Sequence, residues 1–295
     1  MGAERVRSRM TNQFAIAADL TLGPVELTVA ELGRSLAFYE GVLGLKVREI
    51  GEGERAVELA AGEAPLLRLY ERPGARRKPT QTTGLYHVAL LTPSRRELAR
   101  TLARLAAARY ALGGASDHLV SEALYLDDPD GNGLEIYADR PRSAWTRAGN
   151  EVRMAVDPLD MESLLRELDD APWGGMATGT VIGHVHLHVA DLRATEAFYG
   201  GVLGFELMQR YPGALFMAAG GYHHHLGLNT WAGVGVPPAP PEAAGLRRFT
   251  VLLPDSDARE AVAERVRAAG LGLEEREEGL LLRDPAQHAI LLGMR

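Results

Sequence analysis

The chain has no cysteine, which excludes disulfides and any metal site built on thiolates. It has no apolar run near the roughly 20 residues a membrane-spanning helix requires. It has no excess of positive charge: the formal net charge is −7, which makes nucleic acid a poor partner. The first nine residues, Met1 to Arg9, carry charges with no apolar stretch behind them, so no secretory leader is expected and the cytoplasm is the expected place. What is present is ordinary for a soluble globular protein. There are 295 residues, 46% hydrophobic and 24% charged, enough for one large or two ordinary domains. The informative count is histidine, with nine residues unevenly placed.

The stretch Ser116–Glu135 holds three residues able to do chemistry, His118, Tyr125 and Glu135. Asp128, Pro129, Asp130, Gly131, Asn132 and Gly133 are turn formers between two short apolar strands, Ala123–Leu126 and Leu134–Ala138. The pattern reads as a β-hairpin whose second strand sets Glu135 between Leu134 and Ile136. A carboxylate buried there is costly unless something positive holds it, and a metal ion would serve. The alternative is that Glu135 points to solvent.

Residues 1–20 read as a poorly ordered arm. From Leu22 onward the chain alternates as a strand, runs as a helix ended by Gly44, and continues as strands near Lys46–Ile50, Ala56–Leu59 and Leu66–Tyr70, a βαβββ unit. A second unit follows, with a strand at Gly84–Thr92, an amphipathic helix at Arg95–Ala108 carrying Leu98, Leu102 and Leu105 on one face, and the hairpin above. Residues 141–179 break the pattern and read as a linker packed on the surface, with a helical piece near Met161–Leu168. A third unit opens at Gly183. Its F-Y-G-G-V-L-G-F at 198–205 repeats F-Y-E-G-V-L-G-L at 38–45, an offset of 160 residues that Gly23 and Gly183 share. The fourth follows the Pro-rich Val236–Pro241, where Leu281–Leu292 echoes the second unit's hairpin. The expected fold is α+β: four βαβββ modules, two in 21–140 and two in 180–295.

Four such modules resemble the vicinal-oxygen-chelate, or glyoxalase, superfamily, whose modules pair into cup-shaped sheets around a metal. The hairpin resembles the signature of type I extradiol ring-cleavage dioxygenases, the catechol 2,3-dioxygenase-like enzymes. His118, Leu124, Tyr125, Asp128, Pro129, Gly131 and Glu135 match it, and Ser116 departs from the residue types usual two before the histidine. The superfamily takes metal ligands from the first and last strands of a module. Aligned first strands offer Pro24, His87, His184 and Phe249; aligned last strands offer Arg68, Glu135, Gly227 and Ile290. The resemblance therefore implies His87, Glu135 and His184 as metal ligands, a set suited to non-haem Fe(II), with Mn(II) also accepted. Because the lone His184 lies in module three and the pair in module two, modules two and three are expected to share the active cup, and one and four the other.

In the family a His-His pair supplies an acid–base group, which maps onto His224 in Tyr222–Leu228. Read as a strand, that stretch turns His223 and His225 the opposite way, and an error of one register would transfer the role to either. His186 and His188 share a face with His184 and read as supporting residues; His288 receives no role. The Phe38–Tyr39 and Phe198–Tyr199 pairs and Tyr137 read as packing. The resemblance implies cleavage of a catechol-type or hydroquinone-type ring by O2 to a muconic semialdehyde-type product, with Tyr125 and His118 hydrogen-bonding a substrate oxygen. The expected partners are a small aromatic diol and O2, with homo-oligomerisation open. The alternatives are a glyoxalase-type isomerase, which would want glutamates in two modules, and a metal-free binding protein, which would want no His-His-Glu set.

Overall fold

The computed structural model describes residues 14–49, 55–149 and 151–295. The expected α+β architecture of four βαβββ modules is what the chain forms. Within each module the opening strand runs parallel to the closing one, and the strands between form antiparallel hairpins. A parallel pair needs a crossover, and each module's helix provides it. In module two that helix is Arg95–Ala107. Ser94 caps it by accepting from Glu97 N, and it buries Leu98, Leu102 and Leu105 toward the sheet. Among the described residues no helix is long and apolar enough to cross a membrane.

The modules combine out of chain order. One nine-stranded sheet joins modules two and three through the antiparallel strands Gly84–Leu91 and Val181–His188. One eight-stranded sheet joins modules one and four through Thr21–Val29 and Gly245–Leu253. The stretches 21–140 and 180–295 thus each give one module to each sheet. A single apolar cluster includes Val25 and Leu27 of one sheet together with Val185 and Leu187 of the other. Two tyrosines tie the modules that the sheets leave apart. Tyr39 Oη donates to Asp128 at 2.9 Å, joining modules one and two, and Tyr199 Oη donates to Asp284 at 3.0 Å, joining three and four. The two Phe-Tyr pairs are therefore packing residues with a buried polar tether. His288 also bonds Asp284, through Nδ1 at 2.8 Å.

The strand pairing corrects the alignment of module four by one residue. Thr250 pairs with Leu291 as Ala89 pairs with Glu135, so the counterparts of His87 and Glu135 are Arg248 and Leu291, in place of Phe249 and Ile290. Neither can bind a metal. In their place modules one and four carry charges alternating across four strands: Glu58, Arg68, Glu26 and Arg248 are successive cross-strand partners. Glu26 is 4% exposed and sits 2.7 Å from Arg248 and 3.5 Å from Arg68. One cup is thus closed by ion pairs.

The remaining departures are local. Of the arm expected over 1–20, residues 1–13 lie outside the described residues. The described part packs on the body, with Ile16 and Leu20 buried and Ile16 N donating to Gly204 O at 3.0 Å. The strand expected near Lys46–Ile50 forms over Lys46–Glu49, and Ile50 lies outside the described residues. The helix expected to run to Gly44 is Leu32–Tyr39, followed by a turn in which Gly44 takes φ +71°. The stretch 141–179 contributes Trp145, Val152, Leu164 and Met176 to buried surface, and its short strand Asp157–Pro158 extends the nine-stranded sheet beside Gly114–Asp117.

Candidate metal centre

Residues two apart on a strand share a face, so His184 and His186 of Val181–His188 point the same way. The neighbouring strand brings His87 opposite His186, and His184, which pairs with Ala89, is its diagonal neighbour on the same face. Their Nε2 atoms lie 3.3 Å apart. Glu135, on the strand parallel to Gly84–Leu91, pairs with Ala89 and sends Oε2 to 3.0 Å from both nitrogens. All three side chains are buried, Glu135 at 2% exposure and His184 at 1%.

These three atoms fit a metal better than they fit one another. Circumscribing a triangle of sides 3.0, 3.0 and 3.3 Å gives a centre about 1.8 Å from each atom. That is short of the roughly 2.0–2.2 Å of a metal bond to imidazole or carboxylate. His87, His184 and Glu135 could therefore hold one ion among them. Burial would raise the Glu135 carboxyl, but the His184 and His87 imidazoles override it and hold it well below the usual carboxylate range. Burial also pushes His87 down. An ionised carboxylate at Glu135 and a neutral imidazole at His87 are the forms in which these two groups bind metals. His184 Nδ1 is buried with no hydrogen-bond partner among the described residues, so Nε2 is its only engaged nitrogen.

His87 and Glu135 line a cavity of about 410 Å³, together with His118, Tyr125, His186 and His224. Tyr125 is the cross-strand partner of Glu135. Burial and the Glu135 charge push its phenol well above the ordinary value. Its hydroxyl lies 2.6 Å from His118 Nε2, and His118 Nδ1 lies 2.6 Å from the Ala155 carbonyl. A carbonyl only accepts, so Nδ1 carries the hydrogen. A neutral His118 then accepts from the Tyr125 hydroxyl through Nε2. His118 is therefore spent on the linker and on Tyr125, and it is the Tyr125 oxygen that keeps lone pairs for the cavity.

The histidine run differs from the strand expected. The closing strand of module three begins at Leu226, and Tyr222–His225 forms an irregular turn after Gly220 and Gly221, both at positive φ. Alternation does not apply there, and each ring has its own setting. His224 lines the cavity, its ring centroid 4.1 Å from that of His184. His223 is fully buried behind it, with Nδ1 2.8 Å from His224 Nδ1 and Nε2 2.9 Å from Asp139 Oδ1. His225 accepts from Ala219 N. Burial, then the His184 and His223 rings, pushes His224 well below the ordinary imidazole value. His186 and His188 are bridged by the Asn229 amide, which donates to His186 Nε2 at 3.0 Å and accepts from His188 Nδ1 at 2.7 Å.

Asp139, Asn229 and the Ala155 carbonyl escaped the sequence reading. Asp139 had one usable signal, since it closes the strand that carries Glu135. Gly183 is a further one. A Cβ there would lie 1.8 Å from the Tyr137 hydroxyl, which is hydrogen-bonded to Tyr222 at 2.8 Å. Gly183→Ala is expected to cost about 1–3 kcal/mol of stability by overpacking. The midpoint of chemical denaturation checks this; an unmoved midpoint would mean that the tyrosine pair yields freely.

Residues 21–136 and 181–287 match the family described as the Glyoxalase/Bleomycin resistance protein/Dioxygenase superfamily. The chain belongs to this superfamily. Catechol-2,3-dioxygenase of Bacillus subtilis (strain 168) is 48% identical over 283 residues, covering 94% of this chain and 98% of that protein. With a relative that close over nearly the whole chain, this superfamily member is an oxidoreductase of the dioxygenase kind. Two solved structures share the fold. One, from Bacillus subtilis and provisionally named a dioxygenase, has a TM-score of 0.69 at 14% identity, covering 95% of this chain and 86% of that one. The other, glyoxalase I from Zea mays, has a TM-score of 0.58 at 16% identity, covering 93% and 92%. At those identities they speak for the fold alone.

Proposed function

We propose that the protein is an Fe(II)-dependent extradiol dioxygenase that opens a catechol-type ring with O2. The observation that carries this reading is the convergence of His87, His184 and Glu135 on one point beside a cavity that His87 and Glu135 line. Two imidazoles and one carboxylate on one side of an ion leave positions for both substrates, the donor set of non-haem Fe(II) oxygenases. Mn(II) accepts the same donors. A glyoxalase-type isomerase is disfavoured because the position equivalent to Glu135 in module three is Gly227. When bound, the metal would supply the redox chemistry by conducting charge from the chelated diol to O2.

The chain's own residues would position substrate and move protons. A carboxylate only accepts, so His223 Nε2–H donates to Asp139. A neutral His223 then accepts at Nδ1 from His224 Nδ1–H, which leaves His224 Nε2 with a lone pair and no protein partner among the described residues. His224 thus meets the substrate as a neutral base able to take a hydroxyl proton, and able to return it as an acid when the ring opens. Tyr125, oriented by His118, would accept a hydrogen bond from the other diol oxygen.

Loading with Fe(II) under anaerobic conditions, then adding catechol and air, tests the proposal. The expected result is uptake of one O2 per ring with a yellow, visible-absorbing product. Iron bound in stoichiometric amount without O2 uptake on any catechol would overturn it. Asp139→Asn is expected to keep the metal and lower turnover about 10–100-fold, the usual cost of losing a group that orients an active-site ligand or base. An asparagine can present its NH2 to His223 and reverse the tautomers behind His224. Full turnover in Asp139→Asn would show that the His223 tautomer is immaterial.

A further inference from the structure

The cavity is larger than its reacting end, and its outer wall has a definite chemistry. Phe216 stands beside the His224 ring, centroids 4.9 Å apart, and beside the His186 ring at 5.7 Å. Tyr86, Val156, Tyr211 and Trp231 also line the cavity while being 40%, 63%, 43% and 46% exposed. These are four of the eleven large hydrophobic side chains exposed among the described residues, and they meet at one mouth. Single exposed hydrophobics are ordinary, whereas a cluster at a pocket mouth marks a surface that binds something apolar. Trp231 is held rather than loose: its indole N–H donates to Pro212 O at 3.2 Å, and its ring meets Tyr86 and His186 at 5.4 Å. The apolar ring face is what remains available to a ligand.

The charges lining the same cavity are of one sign. Among the described residues no lysine or arginine lines it, while Asp127 and Glu135 do. Glu135 belongs to the metal donors, so Asp127 is the charge a substituent would meet. A carboxylate on the substrate ring would enter among apolar ring faces, with no cation to pair with and with the Asp127 carboxylate facing it.

We infer that the ring substrate is an uncharged catechol bearing an alkyl or aryl substituent, seated between Phe216 and Trp231, and that carboxylated catechols are rejected. This rests on the proposed ring-cleavage activity and deepens it. The test compares catechol, 4-tert-butylcatechol, biphenyl-2,3-diol, 3,4-dihydroxybenzoate and 3,4-dihydroxyphenylacetate on the Fe(II)-loaded enzyme. Two readouts are taken: kcat/KM by O2 uptake, and anaerobic binding by quenching of tryptophan fluorescence. At least one substituted neutral diol is expected to exceed catechol about 10-fold in both, within the range that added apolar groups earn in a fitting pocket. The two acids are expected to fall about 100-fold or more below it. Trp231→Ala, a change at a half-exposed side chain, is expected to reduce the ratio of the preferred substituted diol to catechol about 10-fold. Acids within 10-fold of catechol, or a ratio unchanged in both Trp231→Ala and Phe216→Ala, would overturn the inference while leaving the ring-cleavage reading intact. Failure of every diol to consume O2 with iron bound would instead remove that reading and this inference with it.

Discussion

Glu135→Gln is expected to fold normally and to lose most of the bound metal. Of the three converging donors, Glu135 carries the only negative charge, and an amide oxygen is a far weaker partner for a divalent cation. The two imidazoles that remain are neutral ligands. In the wild type, metal at 100 times its dissociation constant should raise stability by about 2.7 kcal/mol through mass action. In Glu135→Gln that metal-dependent rise in melting temperature should vanish. Without metal, the variant should be no more stable than the wild type, because the imidazoles favour the ionised Glu135 and the amide gives up that attraction. Metal analysis and melting curves taken anaerobically, with and without Fe(II), check both parts. Full iron occupancy in the variant would remove Glu135 from the donor set.

His224→Phe is expected to do the opposite: keep the iron, still bind catechol anaerobically, and lose turnover by about 10²–10⁴-fold, as loss of a general acid–base group does. Phenylalanine is the larger side chain, but His224 borders the cavity and its ring lies against aromatic neighbours, so the packing with Phe216 and His184 should survive. Iron content, anaerobic titration and O2 uptake are needed together, since oxidation of the iron alone would also silence the enzyme. Loss of metal in His224→Phe would place His224 among the ligands. Full activity would pass the proton to another group. His223→Phe should also be impaired, but through His224: it removes the acceptor for His224 Nδ1–H and leaves Asp139 with its buried partner gone.

The chain itself made the repeated modules and the three candidate donor residues legible. A 160-residue offset between F-Y-x-G-V-L-G motifs is hard to mistake, and a carboxylate between Leu134 and Ile136 calls for a positive partner wherever the strand lies. Module four was misread by one residue for a physical reason. Its opening strand is buried on both faces, with Phe249, Thr250 and Val251 all under 9% exposure, so no alternation pins its register. The histidine run was misread because three consecutive imidazoles look alike whether on a strand or in a turn. The two preceding glycines, both at positive φ, are what break the strand.

By itself, the sequence determined which side chains have the chemistry to hold a metal and that they recur at corresponding places in a duplicated unit. Only the tertiary structure decided that module two joins three and module one joins four. It also decided that His224, rather than its neighbours, borders the cavity, and that Asp139 and the Ala155 carbonyl reach His223 and His118. The reason is distance along the chain. His87 and His184 are 97 residues apart, Asp139 and His223 are 84 apart, and His118 and Ala155 are 37 apart. Contacts at such separations are set by how sheets pair and where a loop lands, and a backbone carbonyl has no letter of its own in the sequence.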